Sequence, residues 1–189
     1  MSLKPDHKSP VLAIAVAPPK SPVFIKSKSS RAQAAAFEQS LPWADIVESQ
    51  NFGHVAWYSK DIMPWPGGHV ECITLATKSA IKEKFDAVKE VKQYIQRAGA
   101  DIELARKRGG DDLNEIVEII RRHIPAHTPQ AIIASLDPGL KVINYEHLNI
   151  DVEGFKQIMD LAVEAKIIKQ GLDISAFADH RFDQLDTKH

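Results

Sequence analysis

The spacing of apolar residues changes once along the chain, near residues 68–80. Before that point the apolar positions come in short runs. Val11-Leu12-Ala13-Ile14-Ala15-Val16 is closed by Pro18-Pro19 and reads as a buried parallel strand running into a rigid loop. Ala34 to Phe37 reads as a second short strand. Leu41 to Val47 reads as a helix start, with Ser40 as cap and Pro42 in the first turn. His54 to Tyr58 alternates and carries aromatics, as a strand does, and Val70 to Ala76 is again strand-like and rich in β-branched residues. Between them Pro64-Trp65-Pro66-Gly67-Gly68 is a loop. Ser21 to Arg31 has no clear period and is left open between a loop and a short helix.

Beyond residue 80 the apolar positions recur at helical spacing. Ile81, Phe85, Val88, Val91, Tyr94 and Ile95 predict a helix over 80–98, which continues over 101–108 and stops at Gly109-Gly110. Asp111 is the expected cap of a helix carrying Leu113, Ile116, Val117, Ile119 and Ile120 and ended by Pro125. Thr128-Pro129 predicts the start of a short helix reaching Leu136. Asp151 to Ile168 has an apolar face of Phe155, Ile158, Met159, Ala162 and Val163. A last turn is expected at Asp173 to Phe177. The fold class this implies is α/β, a short parallel sheet with helices followed by a helix-rich C-terminal part. Three or so strands make a thin sheet that needs cover on both faces, so its other strands are expected in chain beyond this sequence.

Composition narrows the function classes. With 44% hydrophobic and 26% charged residues the chain is that of an ordinary globular protein, able to bury a core without staples. A formal net charge of −1 gives no global field for nucleic acid or an anionic membrane, so neither is expected as a partner. No apolar run is long enough to span a bilayer, and no direct membrane insertion is expected. Residues 1–10 read as a tail or an appended start, without the apolar stretch and cleavage site of a secretory signal. Cys72, the single cysteine, cannot form an internal disulfide or build a multi-cysteine metal site.

Candidate catalytic constellations are few. His69-Val70-Glu71 echoes the His-x-Glu of zinc deaminases, but that chemistry also needs a Pro-Cys-x-x-Cys pair; an alternating strand explains the triplet. His123 and His127 are four apart, yet Pro125 between them breaks a shared helix, and Arg121-Arg122-His123 reads as a basic helix end complementing the dipole. Phosphate loops, nucleophile elbows and dinucleotide fingerprints are absent from the sequence. The basic run Lys20, Lys26, Lys28 and Arg31 reads as a solvated loop. One polar constellation remains. Glu38, Gln39 and Ser40 meet Trp43 at a strand-to-helix junction, where α/β sheets bind ligands. A carboxylate and an amide supply polar contacts there, and an indole supplies a wall. Two readings stand: a ligand-facing edge shared with Pro18-Pro19, or a junction in which Ser40 only caps and Trp43 only packs.

Ala15-Val16-Ala17-Pro18-Pro19 and Ala36 to Trp43, taken with Ser59-Lys60-Asp61-Ile62 and the closing stretch from Asp173 to Phe182, resemble in their order the nitrate-, sulfonate- and taurine-type substrate-binding proteins of ABC importers. The resemblance runs over residues 11–182. It implies part of a type II periplasmic-binding-protein fold, with residues 11–68 as the α/β portion of the second lobe and 69–189 as the return strand and helix-rich C-terminal part of the first. It also implies non-catalytic capture of a small solute, delivery to an ABC transporter permease, and a periplasmic or extracellular, membrane-associated location. The implied ligand-binding residues are Pro18, Pro19, Glu38, Gln39 and Trp43, with no catalytic residue, metal or cofactor. The alternatives are an enzyme resembling thiamine-pyrimidine synthases, whose cysteine-rich segment this chain lacks, and a ligand-sensing regulatory domain of a transporter.

Overall fold

Local capping chemistry sets most of the helix boundaries. The structure, a computed structural model, describes residues 17–29, 36–62, 70–146 and 148–183. Eight helices form among them: α1 (Ser21–Ser29), α2 (Trp43–Ser49), α3 (Ser59–Ile62), α4 (Lys78–Glu83), α5 (Phe85–Arg108), α6 (Gly110–His123), α7 (Pro129–Ser135) and α8 (Val152–Glu164). Single 3-10 turns sit at Pro18–Lys20, Ile174–Ala176 and His180–Phe182. Thr77, Thr128 and Asp151 each accept a hydrogen bond from the backbone N–H three residues on, which starts α4, α7 and α8. Gly109 ends α5 at φ 66° and Gly110 follows at φ 55°, the left-handed region that glycine enters without steric cost. Gly109 is also the first cap of α6, so Asp111 lies inside that helix instead of capping it.

The expected sheet does not form. The chain at 53–58 and 70–77 has no regular secondary structure, and no strand ladder exists among the described residues. The β-branched and aromatic residues there favour extended backbone. A strand, however, needs a neighbour for its N–H and C=O groups, and a lone strand is not stable in water. Trp57, Ile73 and Leu75 are accordingly exposed, at 60%, 48% and 80%. Ser59–Ile62, matched to a strand and loop by the resemblance, is a helical turn. The expected strand at Val11–Val16, the first half of that at Ala34–Phe37 and the whole loop at 64–68 lie outside the described residues. The parallel-sheet α/β architecture is therefore corrected to a helical one.

The core sits where α5, α6 and α7 meet. Leu113, Ile116, Val117 and Ile120 recur at three- and four-residue spacing on α6. They close on Ile132 and Leu136 from α7, Ile102 from α5 and Tyr145 from the following loop. Val117, Ile132 and Leu136 are fully enclosed. Outward from α7 lies α2, and outward from α2 lies α1. On α8, Phe155 stands edge-on to Phe177, and its apolar face is half-buried.

Helix α5 also holds a long loop by polar contacts. Glu103 and Arg106 form an ion pair whose side chains are 10% and 7% exposed. The Arg106 guanidinium donates to both Glu103 oxygens, at 2.8 and 3.0 Å, and to the carbonyls of Leu136 at 2.9 Å and Ile143 at 2.8 Å. Glu103 Oε1 accepts from the Tyr145 N–H at 2.9 Å. Two turns before Glu103, Gln96 donates to Asn149 Oδ1 at 2.9 Å, and one turn further back Lys92 donates to the Leu148 carbonyl. Between these two anchors the loop runs against Gly99, where a Cβ would stand 2.6 Å from Leu148 and 3.1 Å from the Tyr145 carbonyl oxygen.

Two substitutions test this anchoring. Arg106→Met strips one partner from a buried ion pair and is expected to destabilise the fold by about 3–5 kcal/mol. A loss below about 1 kcal/mol in chemical denaturation refutes the role given to the pair. Gly99→Ala ordinarily gains about 1 kcal/mol in a helix interior. Here the added methyl meets the loop backbone, so that gain is expected to vanish, and Gly99→Val is expected to cost about 1–3 kcal/mol by overpacking. Both are read from the same unfolding curves.

Candidate functional cleft

Two helix faces make a small cleft between α1 and α2. Pro19, Pro22, Val23 and Lys26 follow the i, i+3, i+4, i+7 spacing of one face of the Pro18–Lys20 turn and α1. Trp43, Ile46 and Gln50 repeat the pattern along α2 and its C-terminal cap. Phe52 and Ala126 close the cavity, whose volume is about 180 Å³. Ser21 Oγ donates to the Ala17 carbonyl at 3.3 Å and ties the diproline turn to α1.

The lining is apolar with two polar groups. Indole and phenyl surfaces come from Trp43 and Phe52. The Lys26 ammonium lies 5.3 Å from the centre of the Phe52 ring, within cation–π reach, and Gln50 contributes an amide. Behind the cleft, the Trp43 ring meets His127 edge-on, with centroids 4.8 Å apart and planes at 81°. His127 Nε2 is buried and accepts or donates no hydrogen bond, and burial pushes the imidazole pKa below its usual value. The ring is therefore neutral at pH 7 and serves Trp43 as a packing surface.

On the other side of α2 lies Asp45, 4% exposed, with Oδ2 unpartnered. Burial, and then the charge of Glu48, push its carboxyl up to about 6. A place in the first turn of a helix favours an anion by roughly 0.3–1 kcal/mol. An unpartnered buried polar group costs about 1–3 kcal/mol, so the cost dominates. The phenol of Tyr58 is raised by burial and then by the surrounding carboxylates of Asp45, Glu48, Asp61 and Asp137.

Of the five residues proposed from sequence to bind a ligand, the structure brings together Pro19 and Trp43, from segments 24 positions apart, on one cleft. Pro18 stands beside them in the same 3-10 turn but does not line the cavity. Glu38 is exposed and Gln39 half-buried, and neither lines it. The polar contacts come instead from Lys26 and Gln50. Lys26 was obscured by the reading of 20–31 as a solvated basic run. The signal was present: once 21–29 is helical, Pro19, Pro22 and Lys26 fall on one face.

The other sequence candidates do not assemble a site. His123 is the last residue of α6, and His127 follows the intervening turn. His69 lies outside the described residues, while Glu71 and Cys72 are exposed on irregular chain. Among the described residues no group of three His, Cys, Asp or Glu side chains is placed to hold a metal ion. No helix among them is long and apolar enough to cross a membrane. Comparison with protein-family models, curated proteins and solved structures returns no match.

Proposed function

We propose that this chain captures a small solute bearing an anionic group, of the nitrate, sulfonate or taurine kind, in the α1–α2 cleft, without catalysis, as a substrate-binding component that hands its solute to an importer permease. The convergence of Pro19 and Trp43 on one cavity supports this reading, because the two were singled out for that role from unconnected stretches of sequence. The chemistry of the lining supports the ligand class. Lys26 offers a positive charge, Gln50 a donor and an acceptor, and Trp43 and Phe52 apolar walls. A volume near 180 Å³ suits a solute of a few heavy atoms, well below the several hundred Å³ of pockets for larger molecules. The reading rests on this cleft and not on the overall architecture.

Thermal shift with taurine, ethanesulfonate and nitrate tests it. A ligand that binds only the folded chain stabilises it by about 2.7 kcal/mol at a hundredfold excess over Kd, so the unfolding temperature should rise with concentration. Trp43→Ala is expected to abolish the rise. Trp43 is half-buried, so the cost to the unliganded fold should stay below the roughly 3–5 kcal/mol of a core tryptophan. Lys26→Gln should weaken the response to each solute while leaving stability nearly unchanged. Binding that survives both substitutions, or no response to any of the three solutes, rejects the proposal.

A further inference from the structure

We propose that Asp45 is a proton-operated latch on the cleft: with its carboxyl protonated, α2 sits closed on α7, and with it ionised, α2 loosens and the wall formed by Trp43 opens. The inference rests on the cleft reading for its purpose but not for its test.

The geometry carries the argument. Asp45 is a carboxyl-bearing residue enclosed to 4% exposure, and its Oδ2 meets no donor. It stands on α2, which packs on α7. The same short helix presents Trp43, Ile46 and Gln50 to the cleft, and Ala126, just before α7, forms the facing wall. Any loosening of α2 from α7 therefore separates Trp43 from His127 and Ala126, and changes the cavity.

The surroundings set the direction. Glu48 acts on Asp45 from the same helix. Tyr58 and Asp61 come from the segment after it, and Asp137 from the end of α7; these carboxylates share the field at the Tyr58 phenol. Lys26 from α1 lies toward the cleft, and His127 lies against Trp43, its imidazole neutral at pH 7. Burial first, and then the charge of Glu48, push the Asp45 carboxyl up to about 6 from an ordinary 3.8. A folded-state value raised above the unfolded one makes protonation favour the packed form. That contribution is complete below about pH 3.8 and is lost as pH rises through about 6. The gap corresponds to roughly a hundredfold change in the docking equilibrium of α2.

The test needs no ligand. With Trp57 and Trp65 replaced by Phe, Trp43 is the sole indole, and acrylamide quenching reports its accessibility. Quenching should increase between pH 5 and pH 8 with a midpoint near 6. In Asp45→Asn, which keeps the shape of the neutral acid, it should stay low and flat. Glu48→Gln, at an exposed position, should move the midpoint to lower pH by removing a neighbouring charge. A wild-type profile that is flat, or one that Asp45→Asn reproduces, overturns the latch. Failure of taurine to bind would instead bear only on the cleft reading, since the quenching profile is measured without it.

Discussion

An arginine and a carboxylate withdrawn from water must satisfy each other and every remaining donor and acceptor, or the fold cannot keep them. Arg106 and Glu103 meet that demand by recruiting backbone. The guanidinium takes the carbonyls of Leu136 and Ile143, and the carboxylate takes the N–H of Tyr145. Desolvating such ions costs several kcal/mol each, and only a full set of bonds offsets it. The loop after α7 is thereby fixed to α5 at both ends of an eight-residue span. Because Leu136 and Tyr145 also belong to the apolar core, the polar and apolar contacts of this region stand or fall together.

The cleft inherits its position from that assembly. α7 is held between the α6 face and the Arg106 anchor at its C-terminal end, and α2 and α1 are stacked on it in turn. The outer layers contribute less to the core. Ile46 and Val47 are buried on α2, while α1 encloses Ile25 with Ser21 and Pro22. Segments with few buried contacts open at lower free energy than the core, which is where binding elements are commonly drawn from. The unpartnered carboxyl oxygen of Asp45 lies on α2, in that second layer.

What could be read from the sequence was what neighbours in sequence decide. Thr128-Pro129 starts α7 where read, because the cap and the proline act within one turn. Gly109 stops α5 because the left-handed conformation is a property of one residue. The α6 face follows from side-chain spacing alone. The strands were misread for the opposite reason: Trp57-Tyr58 and Ile73 to Thr77 carry strand propensity, but a ladder is a relation between distant segments and leaves no local mark. Val23, Phe24 and Ile25 are consecutive on α1 and form no stripe, which hid that helix and with it Lys26. In the cleft, Pro19 and Trp43 were visible as rigid and aromatic punctuation. Gln50 and Phe52 were not, since neither differs from any surface amide or buried ring until α2 is placed.

The irregular, exposed chain at 70–77 bears on how the protein behaves in a crowded solution. A run of β-branched residues with its apolar side chains exposed, and no ladder among the described residues, is a template for adding further strands. Within it Glu71 is the single charge before Lys78. Stacking copies in register would place carboxylate on carboxylate, the kind of repulsion by which a charged residue guards an exposed apolar stretch against strand pairing. Screening by salt weakens that barrier, and colloidal stability should therefore be most fragile where ionic strength is highest.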